Sequence, residues 1–224
     1  LKVSNIEHWY SPAFILEAAD MAVQHCKDRG IRPASLDRAI GEARATAIFA
    51  IGFSQQSGQE VWMRMVEPSE QAPDCLVMYV EKVGRSNHQQ RLEVEVTTYN
   101  SHSRDDLASF LLRTKFDGNH SYSPSTVILV YVQQAMTFEL LKLAHDRLRE
   151  VVPKGVCYCV GQVDADLFQV MQLYSRLAGP VNVRLSEALA SDQLPVADVE
   201  RGMSAVQGRT EKPVPTANPF FAYL

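Results

Sequence analysis

No stretch of this sequence approaches the roughly 20 consecutive apolar residues that a membrane-spanning helix needs. Its most apolar early segment, Ser11 to Val23, is broken by Glu17 and Asp20 and has no basic flank. Neither a signal peptide nor a membrane partner is therefore expected. Cysteine is scarce: the four residues Cys26, Cys75, Cys157 and Cys159 form no C-x-x-C pair, and three lie in apolar runs. A disulfide framework and tetrahedral zinc ligation both lack their usual pattern. The six histidines (8, 25, 88, 102, 120, 145) are scattered and supply no metal cluster. A reducing, cytoplasmic setting is the expectation. Positive charge is not in excess either, with 22 Lys and Arg against 26 Asp and Glu, a formal charge of −4. That balance counts against a protein that coats nucleic acid, though not against an enzyme that meets it through one local groove. Gly52 and Gly58 lack phosphate-loop spacing and no lysine follows them, and there is no G-x-S-x-G elbow.

What remains is ordinary globular material, 46% hydrophobic and 21% charged over 224 residues, enough for one domain with a substantial core. A single α/β domain is expected over residues 1–201. From about Gly202 the pattern dissolves into small polar residues with Pro213, Pro215 and Pro219. Residues 202–224 read as a Pro-rich tail or docking arm. Its Phe220, Phe221 and Tyr223 suit contact with the domain, with a protein partner or with a second copy of the chain.

Ser11-Pro12 marks a helix start and Gly30 its stop. Ser35 is placed to cap a second helix through Phe53, along which Leu36, Ile40, Ala43, Ala47 and Ile51 keep helical spacing. Strands are predicted at 61–66, 75–83 and 91–99. The last alternates Leu92, Val94 and Val96 with Glu93, Glu95 and Thr97. Gly84-Arg85-Ser86-Asn87 reads as the hairpin turn before it. A helix at 105–116, a doubly covered strand at 126–132, a helix at 138–151 and a strand at 156–163 follow. A helix at 166–178 and a strand at 181–185 complete the order α-α-β-β-β-α-β-α-β-α-β. This predicts an α/β fold with a mixed central sheet flanked by helices.

Three carboxylates stand at suggestive places. Asp74, after Pro73, opens the second strand; Glu95 lies on the third; Glu42 sits inside the second helix. A turn at 84–87 pairs Val83 with His88, which sets Asp74 opposite Thr97 with Glu95 as its diagonal neighbour. Diagonal neighbours have Cβ atoms about 7 Å apart. Asp74 and Glu95 can then share Mg²⁺ or Mn²⁺, since a hard cation takes one or two carboxylates and keeps several waters. Glu42 shares a helical line with Thr46, Phe49 and Phe53, which turns it toward the sheet. Gly41, Ala43 and Ala45 let that helix come close. Taken singly, the same residues also fit a turn, a solvated strand face and a helix surface.

Taken together over about residues 35–133, their order and setting resemble the PD-(D/E)XK (restriction-endonuclease-like) nuclease superfamily. There a helical Glu precedes a strand-opening Asp, then an acidic residue and a Lys two positions later. The resemblance implies a restriction-endonuclease-like core and a metal-dependent phosphodiesterase acting on nucleic acid, DNA more than RNA. It assigns Asp74, Glu95 and Glu42 to the metal, with Glu42 orienting the metal-bound water, and the Val96 carbonyl to the shell. Thr97 stands at the catalytic lysine's position and brings no charge. Members of the fold relocate that lysine, replace it or lose activity. Lys82 shares the parity of Asp74 but lies about 27 Å along the strand, and sequence gives Lys115 and Arg104 no placement. The alternative is a non-catalytic binding or assembly module on the same fold, which the missing lysine and the acidic balance favour.

Overall fold

The computed structural model describes residues 8–31, 34–66, 73–83, 86–100, 102–103, 105–117, 122–152, 156–190 and 196–198. In chain order the elements begin with β1 (His8–Tyr10), α1 (Pro12–Arg29), α2 (Ala34–Ser57), β2 (Val61–Met65), β3 (Cys75–Val83) and β4 (Ser86–Tyr99). They continue with α3 (Leu107–Thr114), β5 (Thr126–Val132), α4 (Phe138–Val151), β6 (Val156–Gln162) and β7 (Leu167–Tyr174). β8 (Val181–Arg184), α5 (Leu185–Ala190) and β9 (Val196–Asp198) complete the order. The Ser35 side chain, Arg104 and the 202–224 tail lie outside the described residues.

Local chemistry sets the helix ends. Ser11 accepts a hydrogen bond from the Phe14 N–H at 3.1 Å, Pro12 fills the first turn of α1, and Gly30 closes it at φ 63°. Asp106 caps α3 and Thr137 caps α4 in the same way, through the N–H groups of Ser109 and Leu140. Among the described residues no helix is long and apolar enough to cross a membrane.

The strands form one mixed sheet in the order β8-β7-β6-β5-β4-β3-β2-β1-β9. β4, β5 and β6 run parallel, and the other neighbours are antiparallel. β5 is covered on both sides, as its unbroken β-branched run predicts. Val127 and Leu129 join the core beneath α1 and α2, while Ile128, Val130 and Val132 join the core beneath α3 and α4. Small residues bring α2 close to the sheet: Ala43, Ala47 and Ala50 are fully buried. A Cβ on Gly52 would lie 2.8 Å from Val170 Cγ2.

The mixed sheet flanked by helices is as expected, but the element order is not. Residues 166–178 do not form a helix. β7 occupies most of that segment as a strand antiparallel to β6 and β8. Leu167, Val170, Met171 and Tyr174 do keep helical spacing. However, a strand with apolar cover on both faces has few polar positions to reveal its period of two. Asp164 adds to the ambiguity, since its Oδ1 accepts from the N–H groups of Asp166 and Leu167 at 2.8 Å. These bonds resemble a helix cap but here tie a hairpin turn. The short β1, β9 and α5 are further additions to the expected order.

Candidate active site

β4 is long enough to outrun its first partner. It pairs antiparallel with β3 from Ser86 to Val94 and parallel with β5 from Glu93 to Tyr99. Beyond Val94, among the described residues, no strand continues along its β3 side. Asp74, just before β3, closes this notch. Its N–H donates to the Val94 carbonyl at 3.1 Å, and its Oδ2 accepts from the Val96 N–H at 2.8 Å. A hydrogen bond to an ionised acceptor contributes about 1.5–3 kcal/mol, and this one anchors the carboxylate over the strand edge.

The hairpin is tighter than expected. Val83 pairs with Ser86, not His88, and Cys75 with Val94. Asp74 therefore lies against the Val94–Val96 stretch instead of opposite Thr97, which pairs with Val130 of β5. Two-residue hairpin loops match the right-handed twist of their strands, which favours the shorter connection.

Glu42 reaches the notch from α2. Thr46, one turn on, is fully buried and donates to the Glu42 carbonyl at 2.9 Å. It also hydrogen-bonds the thiol of Cys75, the neighbour of Asp74. Burial raises the Glu42 pKa above the ordinary carboxylate range. The Arg38 hydrogen bond opposes that rise, the Asp74 charge adds to it, and the charges of Arg38 and Lys115 oppose it. Arg38 lies one turn earlier on α2. Its Nε is 2.6 Å from Glu42 Oε1, and a terminal nitrogen is 3.6 Å from Asp74 Oδ1.

Glu95 faces the α3 side. Lys115, just past the end of α3, donates its N–H to Leu111 O at 2.8 Å. Its Nζ lies 3.3 Å from Glu95 Oε2, and the two side chains are only 16% and 14% exposed. Glu93, of the same strand parity, is engaged elsewhere, accepting from Ser123 Oγ at 2.7 Å and Thr126 Oγ1 at 2.9 Å. Tyr122 packs edge-on to Phe116. Its hydroxyl is pushed up to about 12 by burial and then by the charges of Glu95, Asp117 and Asp74, so it stays an O–H donor at neutral pH.

Asp74 stands just before β3 and Glu95 on the neighbouring β4; Arg38 joins Asp74 to Glu42 of α2, Lys115 pairs with Glu95, and the charges of Asp74 and Glu95 both act on Arg38 and Tyr122. Thr97 is half-buried two residues beyond Glu95, and its hydroxyl adds no charge. The Val96 backbone enters through its N–H rather than its carbonyl. Among the described residues no group of three or more His, Cys, Asp or Glu is set to hold a metal ion. A Mg²⁺ or Mn²⁺ ion needs only one or two carboxylates and keeps its waters, so the donor set of Asp74 and Glu95 fits such an ion. Glu42, tied to Arg38, stands outside that pair. Cysteine chemistry does not compete: all four thiols are buried and free, and burial pushes Cys75 and Cys159 up to about 12. A cavity of about 380 Å³ lies elsewhere, near Val132, Phe138 and Met171, and its lining holds no carboxylate, lysine, arginine or histidine.

Sequence reasoning did not single out Arg38, although its spacing of four from Glu42 on a helix was a legible signal. Tyr122 had none. Comparison with protein-family models, curated proteins and solved structures gives no match.

Proposed function

We propose that the notch is the active site of a Mg²⁺-dependent phosphodiesterase acting on nucleic acid. The observation that carries this reading is the Lys115 ammonium 3.3 Å from Glu95 Oε2. It brings from α3 the cation that Thr97 cannot supply from β4. The succession α2-β2-β3-β4-α3-β5, with β4 and β5 parallel, supports a restriction-endonuclease-like core. The resemblance that implies this core favours DNA over RNA. Four buried, free cysteines support a reducing, cytoplasmic setting.

In this reading Asp74 and Glu95 hold the metal, which when bound neutralises phosphate charge and lowers the pKa of water. The Val96 N–H and the Lys115 ammonium hold the two carboxylates in orientation. Glu42 takes up the proton of the attacking water. Its raised pKa brings the carboxylate closer to neutrality, where a general base is more effective. Lys115 places positive charge where negative charge develops on the phosphate. Losing one such contact typically costs on the order of 10²–10³ in rate.

The test is nicking of supercoiled plasmid by the full chain with Mg²⁺, with Mn²⁺ and with EDTA. Metal-dependent nicking that EDTA and Asp74→Ala both abolish is the expected result. A chain that cuts neither plasmid nor single-stranded DNA nor RNA with either ion overturns the reading and leaves the non-catalytic module.

A further inference from the structure

We propose that Arg38 is a displaceable cation. It neutralises Glu42 and Asp74 while the notch holds no metal, and it turns to a backbone phosphate of the nucleic acid once a divalent ion is bound. This rests on the phosphodiesterase reading and adds to that site a residue that binds the substrate backbone beside the reacting phosphate. Both cations of the notch sit on carboxylates, but they differ in freedom. The Lys115 side chain is mostly buried and paired with an equally buried Glu95. The Arg38 side chain is 75% exposed, above carboxylates that are 21% and 15% exposed. Arg38 therefore forms the rim of the notch and the carboxylates its floor.

Three physical points make the exchange work. The guanidinium cannot lose its proton at any ordinary pH, so it competes with a metal ion charge against charge. Glu42, then Asp74 and Glu95, all stabilise its charge, so an ion entering among the same carboxylates opposes it. Its contacts are a helical pair at spacing four and a looser 3.6 Å approach, each open to solvent on the arginine side only, and the arginine can leave them by swinging outward without disturbing the fold. Once released, the planar fork of donors matches a phosphate's oxygens. It stands one helical turn from Glu42, beside the bond to be cut.

The test uses the full chain and Arg38→Ala, with two probes: MnCl₂ without nucleic acid, and a fluorescent DNA duplex in Ca²⁺. Losing a competing exposed cation should tighten Mn²⁺ binding about two- to fivefold. The same variant should bind the duplex several-fold more weakly, with a salt dependence shallower by about 0.9 in log–log slope, the signature of one lost phosphate contact. Mn²⁺ binding no tighter than wild type, or unchanged duplex affinity and salt slope, overturns the role of Arg38 while leaving the metal site standing. If neither wild type nor Arg38→Ala takes up Mn²⁺, the site itself fails, and the proposal with it.

Discussion

Replacing Lys115 by methionine removes a charge while keeping most of the aliphatic stem that packs beside it. Its partner Glu95 is then left mostly buried without its ammonium, at a position 14% exposed. Ion pairs on open surface contribute up to about 1 kcal/mol. Removing one partner of a fully buried pair costs about 3–5 kcal/mol. With roughly six-sevenths of each side chain covered, an intermediate loss of about 2 kcal/mol is expected. In a chain of this size each kcal/mol moves the thermal midpoint by about 2–4 °C, so the variant should melt about 4–8 °C lower. Circular dichroism at neutral pH and low salt measures it. The decisive arm is the double variant Lys115→Met/Glu95→Gln. Without the orphaned carboxylate it should recover half or more of the loss, a coupling that a double-mutant cycle isolates. A midpoint within about 1 °C of wild type, or a double variant no better than Lys115→Met alone, would refute the pairing and remove the observation on which the proposed function rests.

Asp74→Asn keeps an oxygen to accept from the Val96 N–H but loses the charge. It should stay folded within about 1 kcal/mol of wild type while losing Mn²⁺ binding and cleavage, read by denaturant unfolding and plasmid nicking. Glu42 has a raised pKa in the fold, chiefly from burial. The stability linked to its protonated form is therefore fully present below the unfolded value and lost as pH rises through the folded one. Glu42→Gln, neutral throughout, should match wild type near about pH 4 and gain on it toward neutrality, and a pH series of denaturant midpoints showing the opposite trend would contradict this. Gly52→Ala pushes a methyl to 2.8 Å from Val170 Cγ2 and should cost about 1–3 kcal/mol. Val170→Gly in the same chain removes all three crowding carbons, including the Cβ at 2.9 Å, so in a double-mutant cycle of the same unfolding assay the two changes should cost less together than their sum, and simple additivity would mean that α2 does not pack on β7 as described.

Much of this arrangement was readable from residues alone, for definite reasons. α4 matches its predicted span because Thr137 caps it and a proline follows its end. β5 is legible because seven consecutive strand-forming residues suit a doubly covered strand. The line of Glu42, Thr46, Phe49 and Phe53 turned Glu42 toward the sheet because three of the four pack against it. The hairpin register was not legible. Gly84 to Asn87 are all small or polar, and composition does not choose between turns of two and four residues, so strand twist and pairing decide. Nor could sequence place Lys115, whose position depends on where α3 stops and how it lies across β4. The segment after Asp164 failed for a third reason: its side chain makes cap-like bonds in a hairpin, and a twice-covered strand hides its period.

The most direct measurement is a crystal of the full chain soaked in MnCl₂, with anomalous data collected at the manganese edge. A single strong peak is expected between the Asp74 and Glu95 carboxylates, about 2.0–2.3 Å from an oxygen of each. Arg38 should have moved off Asp74, and Lys115 should remain at the site. No peak at those carboxylates, with Arg38 and Lys115 still paired to them at high Mn²⁺, would contradict it.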